Sequence, residues 1–260
     1  PGWVMRYLAL IVAALAALLP GPASAQSDTG ALELACGKGD SASCLQLAER
    51  LHRSAAAPDM ARAKDIYVRL CNKRVDQACF DLGVMYDEAE GVPEDKRKAR
   101  KLYQAACRRG HLDACYNLAV VLEKDGVTDR AYKMYADICD RGALAGCVTL
   151  GFNYEWGADK LPRDEAKALG LYRRACDGGD GLGCTSLASM HADGRGTPKD
   201  LATARTLNEA ACKSGNLPGC TKLGLMLERG EGGDKDVARA QELYARSCAA
   251  GVRMACDLKR

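Results

Sequence analysis

The sequence predicts an all-α solenoid of helical hairpins, and three observations predict it. Cysteines come in pairs with seven residues between the members: Cys36/Cys44, Cys71/Cys79, Cys107/Cys115, Cys139/Cys147, Cys176/Cys184, Cys212/Cys220 and Cys248/Cys256. The first members of successive pairs lie 35, 36, 32, 37, 36 and 36 residues apart, and a period near 36 marks stacked helical hairpins. Between pairs a leucine, a small residue and a larger residue recur at helical spacing, as in "LGVMY" from Leu82, "LGFNY" from Leu150 and "LASMH" from Leu187. Leucine at i and the large residue at i+4 share one helical face.

The elements follow in chain order. "MRYLALIVAALAALLPGPASA" has one early positive charge at Arg6, an apolar run to Leu19, a Pro-Gly break and the small residues Ala23, Ser24 and Ala25. It reads as a secretory leader cleaved before Gln26, so residues 1–25 hold the signal peptide and what precedes it. The run is short for a bilayer span, and an uncleaved anchor is the alternative. Residues 26–260 read as a single repeat domain of about six 36-residue hairpins, with no further stretch long enough to cross a membrane. In each hairpin the first helix, A, starts near the second cysteine of a pair. It meets a breaker such as "EGVPED", "GRGTPKD" or "EGGDKD", where glycine can end a helix and proline cannot continue one. Asp59, Asp95, Asp164, Asp200 and Asp236 stand twelve residues before the next pair and are placed to cap the second helix, B. A tyrosine lies one turn before the cysteine at Tyr67, Tyr103, Tyr135, Tyr172 and Tyr244, with Asn208 as the exception. These tyrosines read as core spacers.

A straight helix would hold each cysteine pair about 12 Å apart at 1.5 Å per residue. A disulfide needs Cα atoms within about 7 Å. A bonded pair therefore requires a turn between its members, and glycine stands three residues after the first cysteine in six pairs (Gly39, Gly110, Gly142, Gly179, Gly215, Gly251), where a helix C-cap needs it. Each bond would pin the end of one helix B to the start of the next helix A. An exported chain with an even cysteine count points to disulfides rather than to metal or redox chemistry. There is no Cys-x-x-Cys for zinc and no Cys-x-x-Cys-His for haem.

These residues resemble the Sel-one-like repeat, a relative of the tetratricopeptide repeat, and more closely its disulfide-rich secreted branch typified by the Helicobacter cysteine-rich proteins. "ACDGGDGLGCTSLASMHADGRGTPKDLATARTLNEAAC" carries the likeness. The departures are a shortened loop in "EKDGVTDRAYKM" and Leu51, Leu122 and Leu227 in place of the usual aromatic. The resemblance implies a right-handed superhelix with a concave face lined by helix A, acting as an interaction scaffold. It also implies a weaker alternative, an envelope protein that binds or slowly hydrolyses β-lactams.

Chemistry is sparse in the sequence. A formal charge of +3, near neutral for 260 residues, argues against nucleic acid. Ser-x-x-Lys, Ser-Asp-Asn and Lys-Thr-Gly are absent. His52, His111 and His191 are scattered over different repeats and read as packing or surface residues. Gly194 and Gly196 follow a helix, so their spacing is no nucleotide fingerprint. No catalytic residue, metal site or cofactor is expected. By analogy with related repeats, the concave face takes positions one, five and eight after the second cysteine. That gives a partner-binding set of Phe80, Val84, Asp87, Tyr116, Val120, Glu123, Val148, Phe152 and Glu155, an apolar groove edged by acids. Thr185, Ser189, Thr221 and Leu225 continue it; Ala192 breaks the acidic series that Glu228 resumes. A peptide or protein partner, a monomeric state and a periplasmic or secreted location complete the expectation. Trp156, which ends a helix A, is expected to be half-buried.

Overall fold

The helices of the chain start and stop where glycine, proline and capping side chains place their ends. The computed structural model describes residues 22–259, with side chains from Asp28 onward, and the expected leader lies outside them except for the backbone of its last four residues. Among the described residues there are fourteen helices and no strand, only an isolated bridge between Ala158 and Leu161. None of these helices is long and apolar enough to cross a membrane.

The described residues divide into two compact units, one ending at His111 and the other beginning at Leu112. The first holds α1 (Pro22–Gly37), α2 (Ser41–Ser54), α3 (Ala57–Asn72), α4 (Asp76–Asp87) and α5 (Lys96–Arg108). The second holds α6 (Leu112–Lys124), α7 (Thr128–Asp140), α8 (Leu144–Trp156), α9 (Glu165–Asp177), α10 (Gly181–Asp193), α11 (Leu201–Lys213), α12 (Leu217–Arg229), α13 (Val237–Ala249) and the short α14 (Arg253–Leu258). Within each unit every helix packs on the next, and in the second α8 also touches α10 and α10 touches α12. Even-numbered helices are the A helices and odd-numbered ones the B helices. Six A–B hairpins result, flanked by α1 and α14.

The turn inside each cysteine pair is a helix C-cap. Gly39, Gly110, Gly142, Gly179, Gly215 and Gly251 have φ between +86° and +104°. The N–H of the following residue donates to the carbonyl just before the first cysteine at 2.8–3.2 Å, from Asp40→Ala35 through Val252→Ser247. That bond satisfies a carbonyl the helix leaves open. The reversal brings the Cα atoms of Cys36–Cys44, Cys71–Cys79, Cys139–Cys147, Cys176–Cys184, Cys212–Cys220 and Cys248–Cys256 to 4.4–4.8 Å, and each pair is bonded. Cys107 and Cys115 are disulfide-bonded too.

Asp95, Asp164, Asp200 and Asp236 cap α5, α9, α11 and α13, accepting the N–H of Lys98, Lys167, Thr203 and Arg239 at 2.9–3.0 Å. Asp59 does not behave as expected. Pro58 starts α3 early, Ala56 becomes its N-cap, and Asp59 sits in the first turn accepting from Ser54 Oγ at 2.8 Å. Proline is accepted in the first helical turn because an N–H there has no intrahelical partner to lose. The shortened loop expected in the third hairpin is residues 125–127, between α6 and α7.

The core repeats with the helices. Leu47, Leu82, Leu118, Leu150, Leu187 and Leu223 are buried, and Ala48, Gly83, Ala119, Gly151, Ala188 and Gly224 follow them. A Cβ on Gly83 would lie 2.6 Å from the Tyr103 ring, and one on Gly224 2.6 Å from the Tyr244 ring. Glycine there lets the B-helix tyrosine ring approach helix A closely. All five tyrosines are buried to 1% exposure or less.

Candidate functional site

Each buried tyrosine hydroxyl needs a partner, since an unpaired one would cost on the order of 1–3 kcal/mol. The repeat supplies it from the acidic position of helix A. Tyr103 donates to Asp87 at 3.3 Å, Tyr135 to Glu123 at 2.9 Å, Tyr172 to Glu155 at 2.6 Å and Tyr244 to Glu228 at 3.2 Å. Burial, reinforced by the adjacent carboxylate, pushes the Tyr135 and Tyr172 phenols far up, so they remain donors. In the first hairpin His52 occupies the acidic position, edge-on to Tyr67 at 6.0 Å and 2.8 Å from Glu90. In the fifth hairpin both partners are replaced at once, by Ala192 and Asn208.

The expected partner-binding residues therefore divide by environment. Phe80 is half-buried, stacked on His111 at 5.0 Å and tilted against Tyr103. Val84 and Val120 are half-buried. Tyr116 packs against Tyr135 at 5.7 Å, with its hydroxyl 3.1 Å from Thr149 Oγ1. Val148 belongs to the core. Asp87 also pairs with Lys96 at 3.0 Å, and Glu123 accepts from Asn153 at 3.1 Å as well as from Tyr135. Glu155 is 5% exposed and pairs with Arg195. It supports the helix pair from within and does not form a solvated acidic rim.

Phe152 stands out from this set. It is 56% exposed beside Trp156, which is 57% exposed, with ring centroids 6.5 Å apart. Trp156 is thus more open than the half-burial expected of it. It ends α8, and the Arg195 guanidinium lies 5.3 Å from its ring centre, an arrangement that favours a cation over an aromatic face. Arg195 is in turn held by Glu155 and, at 3.1 Å, by Asp193. Sequence reasoning missed Lys222, whose Nζ donates to Ser189 Oγ at 2.7 Å across α12 and α10. A signal existed: both residues depart from what other repeats carry at their positions. Among the described residues no three His, Cys, Asp or Glu gather as a metal-ligand group.

The model of the Sel1 repeat matches residues 76–111, 145–180, 182–216 and 217–252, more than half of the chain. The chain belongs to the Sel1 repeat family. Its matched segments run from one helix A through the following helix B to the glycine turn, as the hairpins do. A Sel1 repeat protein from Oxalobacter formigenes is similar at TM-score 0.71 and 20% identity, over 81% of this chain and 86% of that one. A protective antigen of uropathogenic Escherichia coli, c5321, which displays an SLR fold, is similar at TM-score 0.63 and 25% identity, over 87% of this chain and 57% of that one. Helicobacter pylori cysteine rich protein B is 25% identical over 50% of this chain and 92% of that one, with TM-score 0.42. A comparison with curated proteins returns no match.

Proposed function

We propose that residues 26–260 act as one exported Sel1 repeat domain, periplasmic or secreted, that binds a peptide or protein partner along its helix-A face. The exposed Phe152–Trp156 pair carries this reading. Two large aromatics side by side in water gain most by being covered, and such residues dominate partner-binding energy where they occur. In the second unit Tyr116 and Val120 would extend the face as half-buried contacts, and in the first Phe80 and Val84 would offer contacts of the same kind. Val148, Asp87, Glu123 and Glu155 would support it from beneath. The bonded cysteines suit an oxidising compartment. The test is affinity capture from a cell-envelope extract of the native host, comparing the wild-type protein with Phe152→Ala/Trp156→Ala. Both side chains are exposed, so the variant should melt with the wild type and lose its partner; undiminished capture would sink the reading. Tyr116 is a poorer choice, because its packing on Tyr135 ties it to the fold.

A β-lactam-hydrolysing reading has one observation in its favour, the Ser189–Lys222 contact. Ser189 lies inside α10, where neighbouring backbone N–H groups are spent on the helix. Two free N–H groups aimed at one point are what an acyl-transfer site needs to hold an oxyanion. Nitrocefin turnover above that of a Ser189→Ala variant would be required to revive it.

A further inference from the structure

Four departures from the repeat meet at one place in the second unit. Where the second, third, fourth and sixth hairpins carry Val84, Val120, Phe152 and Leu225, and the first Glu49, the fifth carries Ser189. Where they carry Asp87, Glu123, Glu155 or Glu228, and the first His52, it carries Ala192, and where they carry a tyrosine it carries Asn208. The sixth has Lys222 where earlier repeats have Asp81, Asn117, Thr149 or Ser186. Without the tyrosine ring and the acid, a cavity of about 290 Å³ opens, lined by all four residues together with Leu225 and Met226.

The polar groups of this cavity are unevenly satisfied. Lys222 donates to Ser189 Oγ at 2.7 Å, and Ser189 donates onward to the Thr185 carbonyl at 2.9 Å. Asp193 and Glu155 are within range of the lysine's charge, but both are taken up by Arg195. An ammonium has three donors, so Lys222 has capacity beyond its serine. Burial pushes this ammonium below the usual lysine range. Asn208 is 4% exposed, and its Nδ2 meets only the Met226 sulfur, at 3.5 Å. Its Oδ1 is buried with no hydrogen-bond partner. A buried orphan acceptor lining the same cavity as an under-used, half-buried donor is costly, and a ligand bringing the complementary pair relieves both.

We propose that Lys222, Ser189 and Asn208 form a binding site for the free C-terminal carboxylate of a peptide with an apolar last residue. The carboxylate takes the remaining Lys222 donors, the last peptide N–H donates to Asn208 Oδ1, and the side chain lies on Leu225 and Met226. The volume suits one or two residues rather than a folded surface. The site lies on the helix-A face assigned above but does not depend on the aromatic pair, so its test separates from the capture experiment.

The probe is N-acetyl-alanyl-leucine with a free carboxylate, beside the same dipeptide as its carboxamide, titrated into the oxidised protein while amide resonances are followed. The acid is expected to shift the Ser189 and Lys222 resonances saturably and to bind at least about tenfold tighter than the carboxamide, as loss of a charged partner implies. Lys222→Met should remove that preference. Ala192→Glu/Asn208→Tyr, which rebuilds the repeat's own pair and fills the cavity, should abolish binding while keeping the fold, and it decides the matter if Lys222→Met unfolds. Equal binding of acid and carboxamide, binding retained in the folded double variant, or no binding of the acid by the wild type would each overturn the proposal.

Discussion

At the residue scale, the chain shows its requirements most clearly where one repeat breaks a rule that the others keep. Six of the cysteine-pair turns place glycine in the left-handed region; the second pair places Arg74 there, at φ 65°. A side chain in that region costs about 1–2 kcal/mol, partly offset by the extra freedom glycine gives the unfolded chain. Arg74→Gly should therefore stabilise the protein by about 0.5–1 kcal/mol, read as a higher midpoint in urea. Asp81 breaks a different rule. Its Oδ1 accepts from Gln77 at 2.8 Å while Oδ2 is buried without a partner. Burial pushes its carboxyl up from 3.8 to about 6, with Glu49 adding to the rise and Gln77 and His52 opposing it. A folded pKa above the unfolded one means that the native state holds the proton more tightly. The native advantage is full below pH 3.8 and is lost as pH rises through about 6. Asp81→Asn should thus raise the melting temperature at pH 8 and give little gain at pH 4; an equal gain at both would contradict this account.

At the element scale, the hairpins were legible because their signals are local. The caps at Asp95, Asp164, Asp200 and Asp236, the glycine turns and the leucine spacing all act within a few residues of where they are written. Asp59 was misplaced because a proline one residue earlier won the helix start. The tyrosine–acid pairs were not legible, although both members recur along the sequence. They lie twelve to seventeen residues apart on different helices, and only packing shows that they meet. The same distance hid the joint replacement at Ala192 and Asn208, and with it the Lys222 cavity. The disulfides act on this scale too, joining the end of one B helix to the start of the next A helix. A ring of this size removes about 2.5 kcal/mol of unfolded-chain entropy. Cys176→Ser/Cys184→Ser should lower stability by about that amount and accelerate amide exchange in α9 and α10 before distant helices. Uniform acceleration throughout the second unit would show that the bond acts globally.

At the scale of the whole molecule, stability in a repeat chain is close to a sum over neighbouring elements, so the sequence could announce the architecture without announcing the partner. The repeated residues describe the fold; the unrepeated ones, Phe152 with Trp156 and the Ser189–Asn208–Lys222 group, carry whatever is particular to this protein. The disulfide spacing has a further consequence for biogenesis. The bonds from Cys36, Cys71, Cys139, Cys176, Cys212 and Cys248 each join a cysteine to the next one along the chain, eight residues away. A polypeptide entering an oxidising compartment amino end first presents each thiol with its proper mate before any rival has arrived. Oxidation can then keep step with delivery, one junction at a time, and fourteen cysteines need never be sorted from a fully exposed mixture.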